Sequence, residues 1–553
     1  MVGWSPGPKP SPGAWTSSRT PAGAGAWAGL RRYQPATIAA AGAGQPGTAS
    51  KARTGSGQRA RAGPASSGAA RGAQTSPPGA IRTGWSGQSA AKAAAIRARV
   101  ASTTSPGGSA GAPLGCAAVP LTAPSEPALR AGRAQPLVAA LGLDERLARA
   151  ARARRALEAA GPAIVDAAVA EVGQPRRFAR HELASALGLL DAMPQLAEAI
   201  RPRPVPAHAG ATMLEWAPYG VVLGWHAANS PVWVPTVVAA SALVAGNAVL
   251  ARPSSRARRT TALVLEALAS AWPEDAVVVA ALPGAQAEPL VWDAGVHAVV
   301  AHASSATCKR HLAGLGAAYA AGARLRPYIP EGSGNDAMIV LAGADLERAA
   351  AAAALGGFAN AGQLCMAAKR IVVERAAWAG FAPRLRAAVA ALRMGDPDDE
   401  ATDIGPLPEG PARRRARDAL AEALAAGGEL VVGEGERGPW FTPTIVRLPP
   451  GALDVALWRE ESFAPLRGLV VAEDPEHALV LANDSPYALG AAVFGPDERV
   501  VAGLRAARVL VDEGPLYQDP HLVVGGVGDS GLAGAQPKLE QLVWARRVHR
   551  AAA

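Results

Sequence analysis

The chain has 553 residues, 49% hydrophobic and 18% charged, with 61 Gly, 47 Pro, three Cys and a formal net charge of +10. That length gives room for two or three domains with sizeable cores, and so few Cys exclude a disulfide-stapled secreted scaffold. No uninterrupted apolar run reaches membrane-spanning length, and the opening MVGWSPGPKP lacks the apolar stretch of a secretory signal.

A basic balance of this size first points to an anionic polymer as partner, but its distribution removes that reading. Residues 1–125 hold 13 Lys and Arg and no Asp or Glu; taking those 13 from 55 leaves 42 basic against 45 acidic residues in 126–553, a net charge of −3. Neither nucleic acid nor membrane is therefore expected as a partner. Residues 1–130 are Ala, Gly, Pro, Ser and Arg with no sustained period. Such a composition buries too little apolar surface to offset the entropy of ordering it. The expectation is a disordered tail, or upstream codons translated from a start placed too early. An Arg-rich targeting segment and a nucleic-acid tether are the alternatives. Because no Met stands between Met1 and Met193, a later start would use a non-AUG codon, for instance at Val100 or Leu114. Gly107-Gly108-Ser109-Ala110-Gly111 fits the G-x-S-x-G esterase pattern, but no strand precedes it and no helix follows, so it is a chance match.

Periodic sequence begins near Gln135, and helical spacing of Leu, Ala and Val predicts helices over about 136–160 and 163–200. After Pro218-Tyr219-Gly220 come a strand (VVLGW), a helix over 235–245, a strand over Ala248–Ala251 and a helix over 259–271. Short strands follow at 277–280 and 297–301, and a second alternating block runs from Ala337 to about Val511. This alternation predicts two α/β units in tandem, each a parallel sheet covered by helices.

The segment Gly357-Phe358-Ala359-Asn360-Ala361-Gly362-Gln363-Leu364-Cys365 carries the most chemistry. A helix N-capped by Asp345 ends in a Gly-containing turn that delivers one Cys into polar surroundings, where a thiolate can be stabilised and reached. A lone Cys is more often a small buried hydrophobe, so the neighbours decide. Here the sequence resembles the aldehyde dehydrogenase superfamily, whose nucleophile lies in F-x-x-x-G-Q-x-C; Phe358, Gly362, Gln363 and Cys365 match each fixed position. Pro330-Glu331-Gly332-Ser333-Gly334-Asn335 is similar to the family's E-L-G-G-K segment, and Asn229-Ser230-Pro231 to its W-N-F-P. Gly246-Asn247 through Arg252-Pro253-Ser254, Gly395-Asp396-Pro397, Thr402-Asp403, Gly405-Pro406-Leu407 and Glu461-Ser462-Phe463-Ala464-Pro465 continue the resemblance in order. So do Pro443-Thr444, Asn483-Asp484 and Gly525-Gly526 with Ser530-Gly531, and the likeness spans about 135–550.

The resemblance implies an aldehyde dehydrogenase-like α/β fold. It has a dinucleotide-binding domain over 131–200 and 217–330, a catalytic domain over 331–535, and a small β oligomerisation element over 201–216 and 536–553. It also implies oxidation of an aldehyde to a carboxylate with NAD or NADP. Cys365 would attack the aldehyde to give a thiohemiacetal and then a thioester. Asn229 and the Cys365 backbone N–H would hold the oxyanion, and Glu331 would activate the hydrolytic water. Glu461 would hold the nicotinamide ribose and Phe463 pack beside the nicotinamide, with Arg252, Ser255 and Ser304 on the adenosine and pyrophosphate side. A CoA-dependent acylating enzyme is the alternative within the fold, and a weakly active binding or scaffolding homologue the alternative of another class.

Departures qualify the cofactor site. Arg252 replaces the family Lys, and Ser255 stands where an acidic residue is frequent, beside Arg256, Arg258 and Arg259. A carboxylate there repels a 2′-phosphate, so its loss predicts that NADP is accepted at least as well as NAD, against the bland reading of a solvated helix start. Ala303 and Cys308 replace both glycines of the family's F-T-G-S-x-x-x-G turn, and an Ala/Gly-rich stretch at 313–323 lengthens the segment before Glu331. Both changes bear on how closely the backbone approaches a pyrophosphate. Gly433-Glu434-Gly435-Glu436-Arg437-Gly438 fits G-x-G-x-x-G, but Pro439 and Pro443 forbid the helix a dinucleotide fingerprint needs, so a loop is expected. The nine His show no ligand spacing, and no metal site is expected. Ala228 and Ser230 flank Asn229 where the family carries bulky residues, which points to a bulky or branched aldehyde. A cytoplasmic homodimer or homotetramer completes the expectation.

Overall fold

The computed structural model describes residues 123–205, 212–438, 440–495, 497–521, 525–532, 534 and 536–550. The expectations for the tail before residue 123, including the Gly107–Gly111 match, lie outside the described residues.

Four helices open the described chain: α1 (Glu126–Ala139), α2 (Leu143–Ala159), α3 (Gly161–Val172) and α4 (Arg176–Leu196). The sequence predicted two helices with the tail reaching 130, and both boundaries shift. Helix α1 starts earlier because Ala128 and Ala131 are small enough to sit 1% and 0% exposed against the first sheet. The second predicted helix breaks at Gly173, which adopts φ +72 and closes α3, and Pro175 then opens α4.

The first sheet is parallel and five-stranded, in the order β5-β4-β3-β6-β7. Its strands are β3 (Val221–Trp225), β4 (Ala248–Arg252), β5 (Val277–Val279), β6 (Ala298–His302) and β7 (Tyr328–Glu331). Helix α5 (Trp233–Val244) joins β3 to β4, α6 (Arg258–Ala269) joins β4 to β5, and α7 (Ser305–Ala320) joins β6 to β7. Strand order reverses direction between β3 and β6, and such a switch point opens a crevice at the strands' carboxyl ends. The Ala/Gly-rich stretch at 313–323 mostly extends α7, with Gly314 lying against the Trp292 ring where a Cβ would collide.

The second sheet has seven strands in the order β10-β13-β14-β9-β8-β16-β17, with β13 at Thr444–Arg447 and β17 at Arg508–Val511, and it is parallel except for β10 (Glu429–Val432). The inner strands β8 (Asp336–Val340), β9 (Ala368–Glu374), β14 (Leu466–Ala472) and β16 (Gly490–Phe494) are almost wholly buried, as near-continuous apolar runs in a helix-covered parallel sheet should be. Between them Gly433–Gly438 leads into a two-stranded hairpin, β11 (Glu436–Arg437) with β12 (Trp440–Phe441), where a loop was expected. A separate antiparallel sheet joins β1 (Arg203–Pro204), β2 (Thr212–Pro218) and β19 (Val543–His549), with β19 on one edge.

Candidate active site

Helix α8 (Leu346–Phe358) begins where the Glu347 and Arg348 amides donate to Asp345 Oδ1 at 3.1 Å, the cap the sequence predicts. It ends in three successive left-handed residues, Asn360 (φ 51), Ala361 (φ 52) and Gly362 (φ 70). Left-handed backbone is unfavourable for an Ala by about 1–2 kcal/mol, so the surroundings must hold this turn in place. Two buried cations do so. Arg467, 0% exposed, donates to Gly357 O at 2.7 Å and to Gly362 O at 3.2 Å. Lys369, 1% exposed, donates to Leu364 O at 2.7 Å and Cys365 O at 2.5 Å. Cys365 is thereby fixed at the mouth of the turn. Burial pushes its thiol up to about 12, with Glu461, Asp336 and Glu331 adding to the rise and Lys369 opposing it.

Asn229 lies in the loop between β3 and α5. Its carbonyl accepts from Gln174 Nε2 at 3.1 Å and from Asn360 Nδ2 at 3.0 Å, so the Asn229 loop and the Cys365 turn are tied directly together. The loop is also held from below by Glu182 on α4. One oxygen of this buried carboxylate accepts from Ser230 Oγ (2.7 Å), Val232 N (2.9 Å) and Trp233 N (2.8 Å), and the other from Gln174 Nε2 (3.0 Å). Burial raises the Glu182 carboxyl above its ordinary range despite these four donors.

Glu331 ends β7 and is 9% exposed. The Lys538 ammonium pairs with its Oε1, while Oε2 is buried without a hydrogen-bond partner among the described residues. Burial raises the Glu331 carboxyl, with the Lys538 charge working against that rise. Cys365, Glu331 and Asn229 line one cavity of about 410 Å³, together with Ser304, Glu461 and Phe463. Glu461 accepts from Gly334 N at 3.0 Å and stands 3.5 Å from the Lys369 ammonium.

A second cavity of about 540 Å³ lies at the carboxyl ends of β3, β4 and β6. Arg252 lines it, its guanidinium 4.2 Å from the centre of the Trp225 ring, and the neighbouring Ser255 is exposed but lines neither cavity. Ser304 N-caps α7, accepting from Thr307 N at 3.3 Å, so that helix start survives the loss of both family glycines. Cys308 is buried in the first turn of α7 and its thiol is raised by burial. The Ala303 amide is already committed to Glu331 O at 3.1 Å. His226 and His302 were not singled out from the sequence, yet both ring nitrogens of His226 and Nδ1 of His302 are buried beside this cavity without hydrogen-bond partners among the described residues, as is Arg252 Nε. Burial lowers His226 to about 3 and His302 well below its usual range, leaving both neutral at pH 7. These unmatched polar atoms around a switch-point crevice suit a dinucleotide, whose phosphates and hydroxyls can supply the missing partners.

Gln174, Glu182, Lys369, Arg467 and Lys538 were also missed. None lies within a motif that the resemblance assigns to the chemistry, and only proximity in the fold brings them to the site. No cluster of three or more His, Cys, Asp or Glu that could hold a metal is found among the described residues, and no described helix is long and apolar enough to cross a membrane.

The family model described as aldehyde dehydrogenase family matches residues 126–542. Among curated proteins, a succinate semialdehyde dehydrogenase [NAD(P)+] of Escherichia coli (strain K12) is 31% identical over 389 residues, covering 68% of this chain and 82% of its own length. A succinate-semialdehyde dehydrogenase [NADP(+)] of Deinococcus radiodurans is 33% identical over 375 residues, covering 66% and 76%. The solved lactaldehyde dehydrogenase of Escherichia coli superposes with a TM-score of 0.71 at 22% identity, covering 78% of this chain and 92% of its own, which bears on the fold alone.

Proposed function

The chain belongs to the aldehyde dehydrogenase family, and on that premise we propose how its own residues carry out the reaction. It is an NAD(P)-dependent enzyme that oxidises an aldehyde to a carboxylate. We assign cofactor binding to the five-stranded unit and nucleophilic chemistry to the seven-stranded one. The observation that carries this assignment is the meeting of Cys365, Glu331 and Asn229 in one cavity.

Cys365 attacks the aldehyde carbon. Because its thiol is raised, a base must take the proton, and Glu331, itself raised and lining the same cavity, is suited to do so. The Asn229 amide and the Cys365 N–H receive the oxyanion, both carried on segments cross-tied through Asn360. When bound, NAD(P)+ would supply the oxidation, as the hydride acceptor. Glu331 releases the thiol proton to solvent and, again a carboxylate, activates water against the thioester. Glu461, Phe463, Ser304 and Arg252 line the cleft that would hold the cofactor.

NADP is accepted at least as well as NAD. Ser255, Arg256 and Arg258 are exposed at the start of α6. The helix amides there are taken: Glu171 accepts from Arg259 N and Thr260 N, both at 2.8 Å. A 2′-phosphate is therefore met by guanidinium groups rather than by the helix end. The substrate is a bulky or branched aldehyde. Away from the cofactor side the cavity is walled by Phe178, Trp233, Val237, Leu355 and Leu516, with His181 lowered by burial. We further propose a cytoplasmic homo-oligomer. Among the described residues no strand pairs with the outer edge of β19, where Trp544 is 44% exposed, and such edges recruit a second chain.

The test is Cys365→Ala assayed with an aldehyde panel under NAD and NADP, with cofactor binding followed by fluorescence. NAD(P)H formation should vanish while binding persists; unchanged formation removes Cys365 from the mechanism.

A further inference from the structure

The turn Lys538–Gln541 stands between the seven-stranded unit and β19, and it is anchored by Leu539 (1% exposed) and Leu542 (0%) in the core around α5. Its first side chain turns the opposite way. Lys538 is buried at 4% exposure, and its ammonium reaches Glu331 Oε1, with Gln541 Oε1 3.5 Å away as a weak second contact. A Lys is almost never fully buried unless it is paired, and here the pair is the carboxylate read as the hydrolytic base. The other carboxylate oxygen, Oε2, has no partner among the described residues and is buried at the cavity.

We propose that Lys538 is a positioning residue for thioester hydrolysis: it pins Glu331 Oε1 and leaves Oε2 as the atom that takes the proton of the attacking water. This rests on the reading of Glu331 as the base. In the step, a water O–H bond breaks toward Oε2 as the water oxygen bonds to the acyl carbon. Collapse breaks the C–S bond and returns its electron pair to sulfur. Oε2 then passes its proton to the Cys365 thiolate, so the carboxylic acid and the free thiol are the products. The titratable groups facing the pair are His302 on β6, Cys308 on α7 and Cys365, with Asp529 turned away to Lys309 at 2.8 Å. His302 is kept neutral by burial, so the Lys538 charge is what opposes the burial-driven rise of the Glu331 carboxyl. Removing that charge lets burial win, and the base becomes protonated at higher pH.

The experiment follows decay of the Cys365 acyl-enzyme by quenched-flow mass spectrometry from pH 6 to 10 in the full chain. It compares wild type with Lys538→Met, Lys538→Arg, Glu331→Gln and the Met/Gln double variant. Lys538→Met should slow decay about tenfold or more at pH 7, recovering as pH rises, with its midpoint raised by about one unit or more. Lys538→Arg should keep the wild-type midpoint, and the double variant should decay no slower than Glu331→Gln. Equal midpoints in wild type and Lys538→Met, equal shifts in the Met and Arg variants, or additive loss in the double variant would each overturn the proposal. Unchanged decay in Glu331→Gln would instead overturn the base reading itself.

Discussion

Replacing Glu182 by Ala tests whether the loop bearing Asn229 is held from below. The carboxylate accepts four hydrogen bonds, two of them from the backbone amides of Val232 and Trp233 at the entrance to α5. Ser230 Oγ can rotate toward solvent, and Gln174 keeps its bond to Asn229 O, so two buried amides bear most of the loss. At about 1–3 kcal/mol for each buried donor left unsatisfied, Glu182→Ala should destabilise the protein by about 3–5 kcal/mol. Loosening Asn229 should also lower kcat by up to about 10²–10³-fold, the scale of losing one oxyanion donor. Glu182→Gln is the control. Burial raises the Glu182 carboxyl even with four donors around it, so the buried charge opposes folding and the acceptor atoms are what stabilise. Gln retains one acceptor oxygen for both amides, and its cost should stay below about 1.5 kcal/mol. Urea unfolding and steady-state kinetics on both variants read the two effects. Equal destabilisation by Ala and Gln, or an Ala variant with wild-type midpoint and kcat, would refute the reasoning.

The Cys365 thiol, pushed up to about 12, should react with iodoacetamide in the cofactor-free enzyme at a rate that climbs about tenfold per pH unit from 6 to 9. A plateau near pH 7 would mean that the thiolate is already formed. Gly362→Ala places a Cβ against the Ala464 carbonyl oxygen and Arg467 at φ +70, and should cost about 2 kcal/mol or more together with most of the activity; a urea midpoint within error of wild type contradicts it. Ser255→Glu restores a carboxylate beside Arg256, and kcat/KM for NADP should fall about tenfold with little change for NAD. An unchanged NADP:NAD ratio would move the 2′-phosphate away from this corner.

Local patterns were legible wherever one residue type met one physical demand. Asp345 as a cap, the Gly362 turn, the apolar runs of β8 and β9, and the Pro-blocked G-x-G-x-x-G could all be read from neighbours in the chain, because capping, left-handed backbone and strand burial are short-range effects. Helix α1 was missed at its start because Ala128 and Ala131 look like low-complexity sequence until the sheet they pack on is in place. The cofactor cleft was legible only in outline. Loss of both turn glycines marked an altered site, but only the fold shows α7 still capped by Ser304 and two neutral His standing beside the opening.

By itself the sequence determined the alternating architecture and the separation of a basic N-terminal stretch from a mildly acidic remainder, which rest on period and composition along one chain, while Cys365, Glu331 and Asn229 were singled out through the family resemblance. Tertiary structure alone decided how those residues are held and charged. Lys369 lies four residues from Cys365, Lys538 lies 207 from Glu331, and Asn360 lies 131 from Asn229. Electrostatic and hydrogen-bond energies depend on distance through space and on burial, and neither is a property of sequence separation.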